Sequence, residues 1–252
     1  MIRPGLKTGS VQVIFVCAML VLWFAVTAAH MLHPLLLPEP AKVWAQIQKL
    51  MVTGAFWKSA QVTFYEIFVA YALAAIPGLL VGFLVSRTAW VTRFLEPIFA
   101  GIFAVPLVLF FPLFIFFFGI GPNAKIAFGA VYAFFPIVLN AIAAFSGVDP
   151  LLVRSARSMG ASTRQLLWNV YLPGALPGVL NGLRIGSVIC ISSVLGGEAI
   201  SAANGLGHSI ALSGELLDSA QMYAWICYVV VIVVIVNKSL SAVETMAQRR
   251  AG

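Results

Sequence analysis

Residues 148–173 read VDPLLVRSARSMGASTRQLLWNVYLP and lie between two long apolar runs. We call this basic segment the elbow. Asp149 can cap a helix whose first position is Pro150, because a missing N–H costs nothing there. Gly160 stands where that short helix would stop in a left-handed residue. The sequence STRQ at 162–165 then fits a capping box, which predicts a second helix that starts at once and runs toward Pro173.

The composition of the whole chain indicates a membrane protein. Of its 252 residues, 62% are hydrophobic and 9% are charged, and the mean hydropathy is +1.02. A soluble domain of this length needs far more charge to cover its surface. We therefore expect an all-α, polytopic membrane protein. The three cysteines lie inside apolar runs and the histidines do not cluster with carboxylates, so we predict no metal site and no catalytic residue.

Six apolar runs are long enough to cross a hydrocarbon core of about 30 Å. They are Val11–Leu32, Thr63–Ser86, Ile98–Phe118, Lys125–Ser146, Gly174–Ser201 and Tyr223–Ser241. The first is too long for the apolar region of a signal peptide, so we count it as a span. With six spans, both termini lie on the same side of the membrane.

The basic residues predict which side that is. Ten lysines and arginines share the side of the termini, namely Arg3, Lys7, Arg87, Arg93, Arg154, Arg157, Arg164, Lys238, Arg249 and Arg250. Four lie on the other side, namely Lys42, Lys49, Lys58 and Lys125, and Arg184 falls within the fifth span. This imbalance places the termini and the elbow in the cytoplasm. The net charge of +7 is thus orientation charge, and no basic face outside the bilayer is long enough for nucleic acid.

Two segments are expected on the outer side. Residues 38–49 predict a short interfacial helix with Val43, Trp44 and Ile47 on one face. The loop 201–222 is expected to meet an extracytoplasmic partner through Gly205, His208, Glu215 and Asp218. We divide the chain into an N-terminal helix with the interfacial helix (1–59), a transmembrane core (60–245) and a cytoplasmic tail (246–252).

Small residues and buried charges mark the spans themselves. Four-residue spacing puts two sets of small residues each on one helix face, which predicts close helix packing and allows sliding. The sets are Ala70, Ala74, Gly78 and Gly82, and Gly174, Gly178, Gly182 and Gly186. Charges inside spans are costly. Glu66 and Lys125 are expected near the membrane edges, where they would snorkel. Arg184 and Glu198 are too far apart to pair, so each either lines a solute path or pairs with another helix. Candidate path residues are Pro106, Arg184, Gly197 and Glu198.

The elbow resembles the cytoplasmic loop of binding-protein-dependent ABC importer permeases. Their motif is Glu-Ala-Ala, three residues, Gly, nine residues, Ile, one residue, Leu-Pro. At those spacings this chain has Arg154-Ser155-Ala156, Gly160, Val170 and Leu172-Pro173. Arg154 thus replaces the glutamate of the motif, which puts any contact of that glutamate in question.

About residues 60–240 resemble one branch of that family, the nitrate/sulfonate/taurine-type permeases. The resembling pieces are Pro106 and Pro112 before FGIG (118–121), FFPI (134–137), VDP (148–150), ARSMGAS (156–162), LPGALPG (172–178), GLRI (182–185), GE (197–198) and GLG (205–207). The resemblance implies a type I importer permease fold that works as a homodimer in the bacterial inner membrane. It also implies two cytoplasmic ATPase subunits, which would bind ATP and Mg²⁺, and an extracytoplasmic solute-binding protein.

The resemblance further implies that the elbow helix couples this chain to the ATPase. The coupling residues would be Asp149, Pro150, Leu151, Leu152, Arg154, Ser155, Ala156, Arg157, Ser158, Met159, Gly160 and Ala161. The chain has no Gly-x-x-x-x-Gly-Lys-Ser/Thr phosphate loop, so nucleotide must be handled elsewhere. We therefore expect the permease subunit of an importer for a small polar, anionic solute such as a sulfonate, taurine or nitrate. The alternatives are a secondary transporter or channel without an ATPase and an intramembrane enzyme, for which no partnered serine or metal cluster is found.

Overall fold

The computed structural model describes residues 5–201 and 203–251, and every regular element in these ranges is a helix. In chain order the elements are α1 (Gly5–Ala28), α2 (Pro40–Val52), α3 (Ala55–Ser86), α4 (Ala89–Ala104), a 3-10 turn (Leu107–Phe110), α5 (Phe111–Phe118), α6 (Pro122–Ser146), α7 (Pro150–Ser158), α8 (Thr163–Leu166), a π-helical segment (Leu167–Tyr171), α9 (Leu172–Ser201), α10 (Leu206–Glu215) and α11 (Ser219–Ala251). Arg3 and Gly252, used above for orientation and for the tail, lie outside the described residues.

Within the described residues, five helical runs are long and apolar enough to cross a membrane, and a bent pair makes a sixth if counted as one span. The runs are Ser10–Ala28, Ala55–Ser86, Pro122–Ser146, Thr163–Ser201 and Ser219–Ala242. Of the six predicted apolar spans, five are therefore confirmed as single helices. The tail predicted at 246–252 continues α11 without a break as far as Ala251.

The third predicted span, Ile98–Phe118, is wrong as a single helix. The structure bends by 75° between Ala89–Ala104 and Leu107–Phe118. The cause is Pro106, because a residue before proline is driven out of the α region. Val105 accordingly has an extended ψ of 134°. The apolar pattern runs through this break, so hydropathy alone could not show it.

Helix α6 lies at the centre of the bundle, between α3 and α9. Both predicted rows of small residues pack against it. A Cβ on Gly78 would lie 2.9 Å from Ile137 Cγ2, and a Cβ on Gly182 would lie 2.6 Å from Asn140 Cβ. The close packing predicted from the four-residue spacing is confirmed, because only glycine leaves room for α6 at these positions. The sliding that such faces allow stays a prediction.

Helix α2 packs on the bundle with one apolar face. Val43 and Leu50 are buried in a cluster with Phe56 and Trp225. The predicted face is corrected in one respect, because Trp44 is 61% exposed and points away from this cluster. On a helix with 100° per residue, position 44 lies a quarter-turn from position 43.

Candidate functional site

The first helix of the elbow, α7, has the boundaries that its sequence predicts. The Leu151 N–H donates to Asp149 Oδ1 at 2.8 Å, and Pro150 occupies the first turn of α7. Gly160 has a φ of +82°. Its N–H donates to the Arg157 carbonyl at 2.9 Å and the Ala161 N–H donates to the Ala156 carbonyl at 3.0 Å. This pair of bonds is a Schellman motif, which ends α7 and turns the chain sharply.

The helix that follows the elbow turn is longer than predicted. The capping box is confirmed, since the Gln165 N–H donates to Ser162 Oγ and the Ser162 N–H donates to Gln165 Oε1 at 2.8 Å. The helix does not end near Pro173, however, and Thr163–Ser201 is one helical run. A proline in a helix crowds the carbonyl four residues earlier. That residue, Asn169, lies in the π-helical segment, whose wider turns accommodate Pro173.

Helix α7 projects from the bundle, and none of its residues is fully buried. Val153 packs near the buried Val148. The opposite face is exposed, with Leu151 66%, Leu152 56% and Met159 81% accessible. Arg154 and Arg157 are exposed as well. Helix α7 thus offers apolar and cationic side chains that nothing in the described part of this chain covers.

A second site lies at the other end of α9, where three ionisable side chains are buried together. Glu66 and Glu198 are fully buried, and Lys125 is 3% exposed. Lys125 Nζ lies 2.5 Å from Glu66 Oε1. The Glu198 carboxyl is near enough to interact with both. The expectation that Glu66 and Lys125 snorkel at membrane edges is therefore wrong, because α3, α6 and α9 converge around them.

Glu198 and Thr63 bind the start of α10, and with Glu66 and Lys125 they form what we call the charge cluster. Thr63 Oγ1 donates to Glu198 Oε1 at 2.7 Å and accepts from the Leu206 N–H at 2.9 Å. The Gly207 N–H donates to Glu198 Oε2 at 2.8 Å. These two N–H groups begin α10 and have no acceptor within that helix. Glu198 is therefore a structural partner of α10, one of the two roles left open by the sequence.

Two glycines make this approach possible. A Cβ on Gly207 would overlap the Leu195 carbonyl and lie 2.8 Å from Glu198 Cβ. Gly205 has a φ of +120°, and a Cβ there would overlap the Glu198 carboxyl. The GLG sequence at 205–207 thus allows the backbone of α10 to rest on Glu198.

The four candidate path residues do not come together. Pro106 is exposed at the bend before the 3-10 turn. Arg184 Nε donates to Asn237 Oδ1 at 2.9 Å, which links α9 to α11. Gly197 is buried against the Phe111 ring, and Glu198 belongs to the charge cluster.

A hollow of about 270 Å³ lies instead on another face of α9. Its lining includes Val108, Phe128, Tyr132, Ile189, Ser192 and Gly196. Sequence analysis missed Tyr132 and Ser192, whose only signal was a hydroxyl group within an apolar run. Ser192 is exposed on a spanning helix, where a lipid-facing surface rarely carries polar groups.

The predicted outer loop contains α10, and its four candidate residues have different environments. Gly205 is buried against Glu198, and His208 is half-buried. Asp218 Oδ1 accepts from the Gln221 N–H at 3.0 Å and so caps α11. Glu215 is exposed beside Leu216 and Leu217, which are 70% and 68% accessible. Glu215 is therefore the most accessible of the four.

Known proteins with similar sequences are transport permeases. The taurine transport system permease protein TauC of Escherichia coli (strain K12) is 31% identical over 90% of this chain and 84% of its own length. The putative aliphatic sulfonates transport permease protein SsuC of Bacillus subtilis (strain 168) is 26% identical over 98% of this chain and 89% of its own length. A chain of the MetNI methionine ABC transporter, in an inward-facing conformation, superimposes with a TM-score of 0.68 at 23% identity, covering 77% of this chain and 98% of that chain.

A family model matches more than half of the chain. It is described as the binding-protein-dependent transport system inner membrane component and covers residues 74–251. The resemblance found in the elbow motif is thereby confirmed, as is the type I importer permease fold. Relatives of this kind are membrane subunits and not enzymes. This chain belongs to the binding-protein-dependent transport system inner membrane component family and is a multi-pass permease subunit of an ABC transporter.

Proposed function

We propose that the chain imports a small organic anion of the sulfonate class as one half of a homodimeric permease. The taurine and aliphatic sulfonate relatives support this solute class. Two separate ATPase subunits would bind ATP and Mg²⁺, and a solute-binding protein would deliver the anion from outside. The elbow and both termini would lie in the cytoplasm, as the distribution of basic residues favours.

The exposed face of α7 is the observation that supports ATPase coupling. Leu151, Leu152 and Met159 would be covered by an apolar groove of the ATPase. Arg154 and Arg157 would meet acidic side chains at its rim. In the family motif a glutamate stands where this chain has Arg154, so the matching ATPase is expected to present the opposite charge there.

A displacement of α7 would be transmitted to the spans through the turn at Gly160 and the helix that follows it. Arg87, just past the end of α3, lies over the Tyr171 ring at 5.2 Å, so α3 and the π-helical segment are in contact. Beyond that segment, α9 continues unbroken to Ser201. Its glycine face against α6 would allow the small shifts that alternating access requires.

The hollow beside α9 is the surface that we assign to the solute path. The Tyr132 hydroxyl is a donor that suits a sulfonate oxygen without holding it as tightly as a cation would. Ser192 Oγ already donates to the Val188 carbonyl at 3.0 Å, so it adds polarity to the lining and no free donor. Pro106 contributes through the bend that precedes Val108 in the lining. Arg184 would act by fixing α9 against α11, and the buried Gly197 and Glu198 would not touch the solute. On the outer side, the exposed end of α10 with Glu215 would receive the binding protein.

Reconstitution with the cognate partners tests this function. The chain is purified with the ATPase and binding protein that associate with it, and ATP hydrolysis in liposomes is measured with taurine, an alkanesulfonate, nitrate and an uncharged amino acid. We expect the sulfonates with their binding protein to stimulate hydrolysis and to accumulate inside. Solute flux through the chain alone, without the ATPase, would contradict the proposal.

A matched pair of variants tests the coupling role of the elbow. Gly160→Trp cannot easily adopt the left-handed turn and should uncouple uptake from ATP hydrolysis. Gly160→Asn tolerates that conformation and should stay close to wild type. Normal uptake by the tryptophan variant would refute the role of the elbow.

A further inference from the structure

The charge cluster is unusual because its formal charges do not cancel. Glu66 and Glu198 are two carboxyls, and among the described residues Lys125 is the one cation that faces them. All three side chains are almost completely removed from solvent. An uncompensated charge in such a place is strongly destabilising. One additional positive charge, a proton on one of the carboxyls, makes the cluster neutral.

The hydrogen bonds of the cluster support a bound proton independently. Glu198 uses one oxygen for Thr63 and the other for Gly207. Glu66 Oε2 is buried and has no hydrogen-bond donor within the described residues. Two ionised carboxylates are both acceptors and cannot satisfy each other. A proton between Glu66 and Glu198 would supply the missing donor.

The cluster also controls how α10 is attached. Its first two N–H groups are donors: that of Leu206 bonds to the Thr63 hydroxyl and that of Gly207 to the Glu198 carboxyl. The only other side-chain hydrogen bond from α10 to a span, within the residues described, joins Ser209 and Ser59 at 3.2 Å. The orientation of α10 is therefore set by side chains that belong to α3 and α9.

We propose that Thr63 and Glu198 are positioning residues that transmit contact at α10 to the spans, and that Lys125 and one proton shared by Glu66 and Glu198 keep this connection neutral. The transmission part rests on the proposed function, in which α10 receives the binding protein. The charge balance does not, because it concerns assembly of the folded chain. Neither Thr63 nor Glu198 needs to touch the solute.

Counting charges by mutation tests the shared proton. Glu66→Gln and Glu198→Gln each leave one carboxylate for Lys125, so each is expected to yield assembled transporter within about twofold of wild type. The double variant leaves Lys125 unpaired and should lower the yield about tenfold or more. Adding Lys125→Met to the double variant should restore it. The measurement is monodisperse transporter after size-exclusion chromatography.

Two results would overturn the shared proton. The double glutamine variant could assemble as well as the single variants, or the triple variant could fail to recover. Either would mean that the charge count does not govern the cluster. These yields do not depend on which solute is transported, nor on whether transport occurs.

Thr63→Val tests the positioning role, because it keeps the shape and removes the hydroxyl. The readouts are basal ATP hydrolysis, hydrolysis stimulated by the binding protein, and the labelling rate of Glu215→Cys on α10. We expect unchanged basal hydrolysis, stimulation reduced about fivefold and faster labelling. Thr63→Ser should restore the stimulation. Thr92→Val is the control, because it removes a half-buried hydroxyl that bonds the Val85 carbonyl at the opposite end of α3.

Normal stimulation in an assembled Thr63→Val transporter would overturn the positioning role. Failure of this variant to assemble would count against it too, since Thr63 would then serve folding. If the wild-type transporter shows no stimulation at all, the proposed function fails instead, and the two failures are thus distinguishable.

Discussion

The elbow and the charge cluster lie at opposite ends of one helical run, and they are built in opposite ways. The elbow is exposed, and its bonds join residues no more than five positions apart. The charge cluster is buried, and apart from the bond between Glu198 and Gly207 its contacts join residues 59 to 143 positions apart, such as Glu66 with Lys125 and Thr63 with Leu206. A surface that binds a partner, such as the elbow, can form from one short segment of the chain. A buried polar contact, such as the charge cluster, forms only after several helices have packed together.

The largest effect is expected at the buried end. Gly207→Ala places a Cβ against the Leu195 carbonyl and Glu198 Cβ, and neither can move without breaking the start of α10. We expect a loss of about 3 kcal/mol of folding free energy or a failure to assemble. Thermal unfolding of the purified transporter measures it. Gly101→Ala is the control, since an added Cβ there meets nothing within 4 Å. Equal stability of the two variants would contradict the close contact.

A smaller loss is expected in the row of glycines on α9. Gly182→Ala brings a Cβ to 2.6 Å from Asn140 Cβ, so α9 must move away from α6. Overpacking of this kind costs about 1–3 kcal/mol. The variant should lower the unfolding temperature less than Gly207→Ala does. If α9 also slides on α6 during transport, the transport rate of the variant should fall together with its unfolding temperature. An unchanged transport rate would mean that this glycine contact serves packing and not movement.

At the elbow, the comparison predicts a change in coupling without a change in the bundle. Asp149→Ala removes the cap of α7, which stabilises a helix by about 1 kcal/mol. We expect weaker retention of the ATPase during purification, with an unfolding temperature equal to wild type. Asp149→Asn keeps an acceptor oxygen and should behave as wild type. A lower unfolding temperature in the alanine variant would show that the elbow also supports the bundle.

The smallest effect is expected at an exposed pair outside the spans. Lys42 hydrogen-bonds Glu39 at 2.8 Å and lowers the pKa of that carboxyl below its ordinary value. Its stabilising contribution is therefore present above the ordinary pKa and is lost as the pH falls through the lowered one. Because both side chains are solvated, Lys42→Gln should leave the unfolding temperature unchanged between about pH 6 and pH 8. A clear drop there would mean that the pair is less solvated than its exposure implies.

The same contrast explains what the sequence could reveal. Asp149, Gly160 and Ser162 are recognisable because each helix cap is determined by residues within a few positions. The glycine spacing on α9 indicated a close approach but not that the partner is α6. The ion pair of Glu66 and Lys125 had no sequence signal beyond two charges in apolar runs, since its partners meet only after α3 and α6 pack. The bend at Pro106 was hidden because apolar residues continue across it.

The π-helical segment at 167–171 affects how many residues are needed between the elbow and any given side chain of α9. A π turn holds about one residue more than an α turn, and each residue rotates a helix by about 100°. The direction in which Glu198 points, relative to the elbow, is therefore fixed by the number of residues between them. The wide turn takes up one extra residue locally, so deleting a single residue from 167–171 would restore regular winding and leave the later side chains of α9 close to their present neighbours. A permease with regular winding here should thus be one residue shorter between its elbow glycine and its buried glutamate.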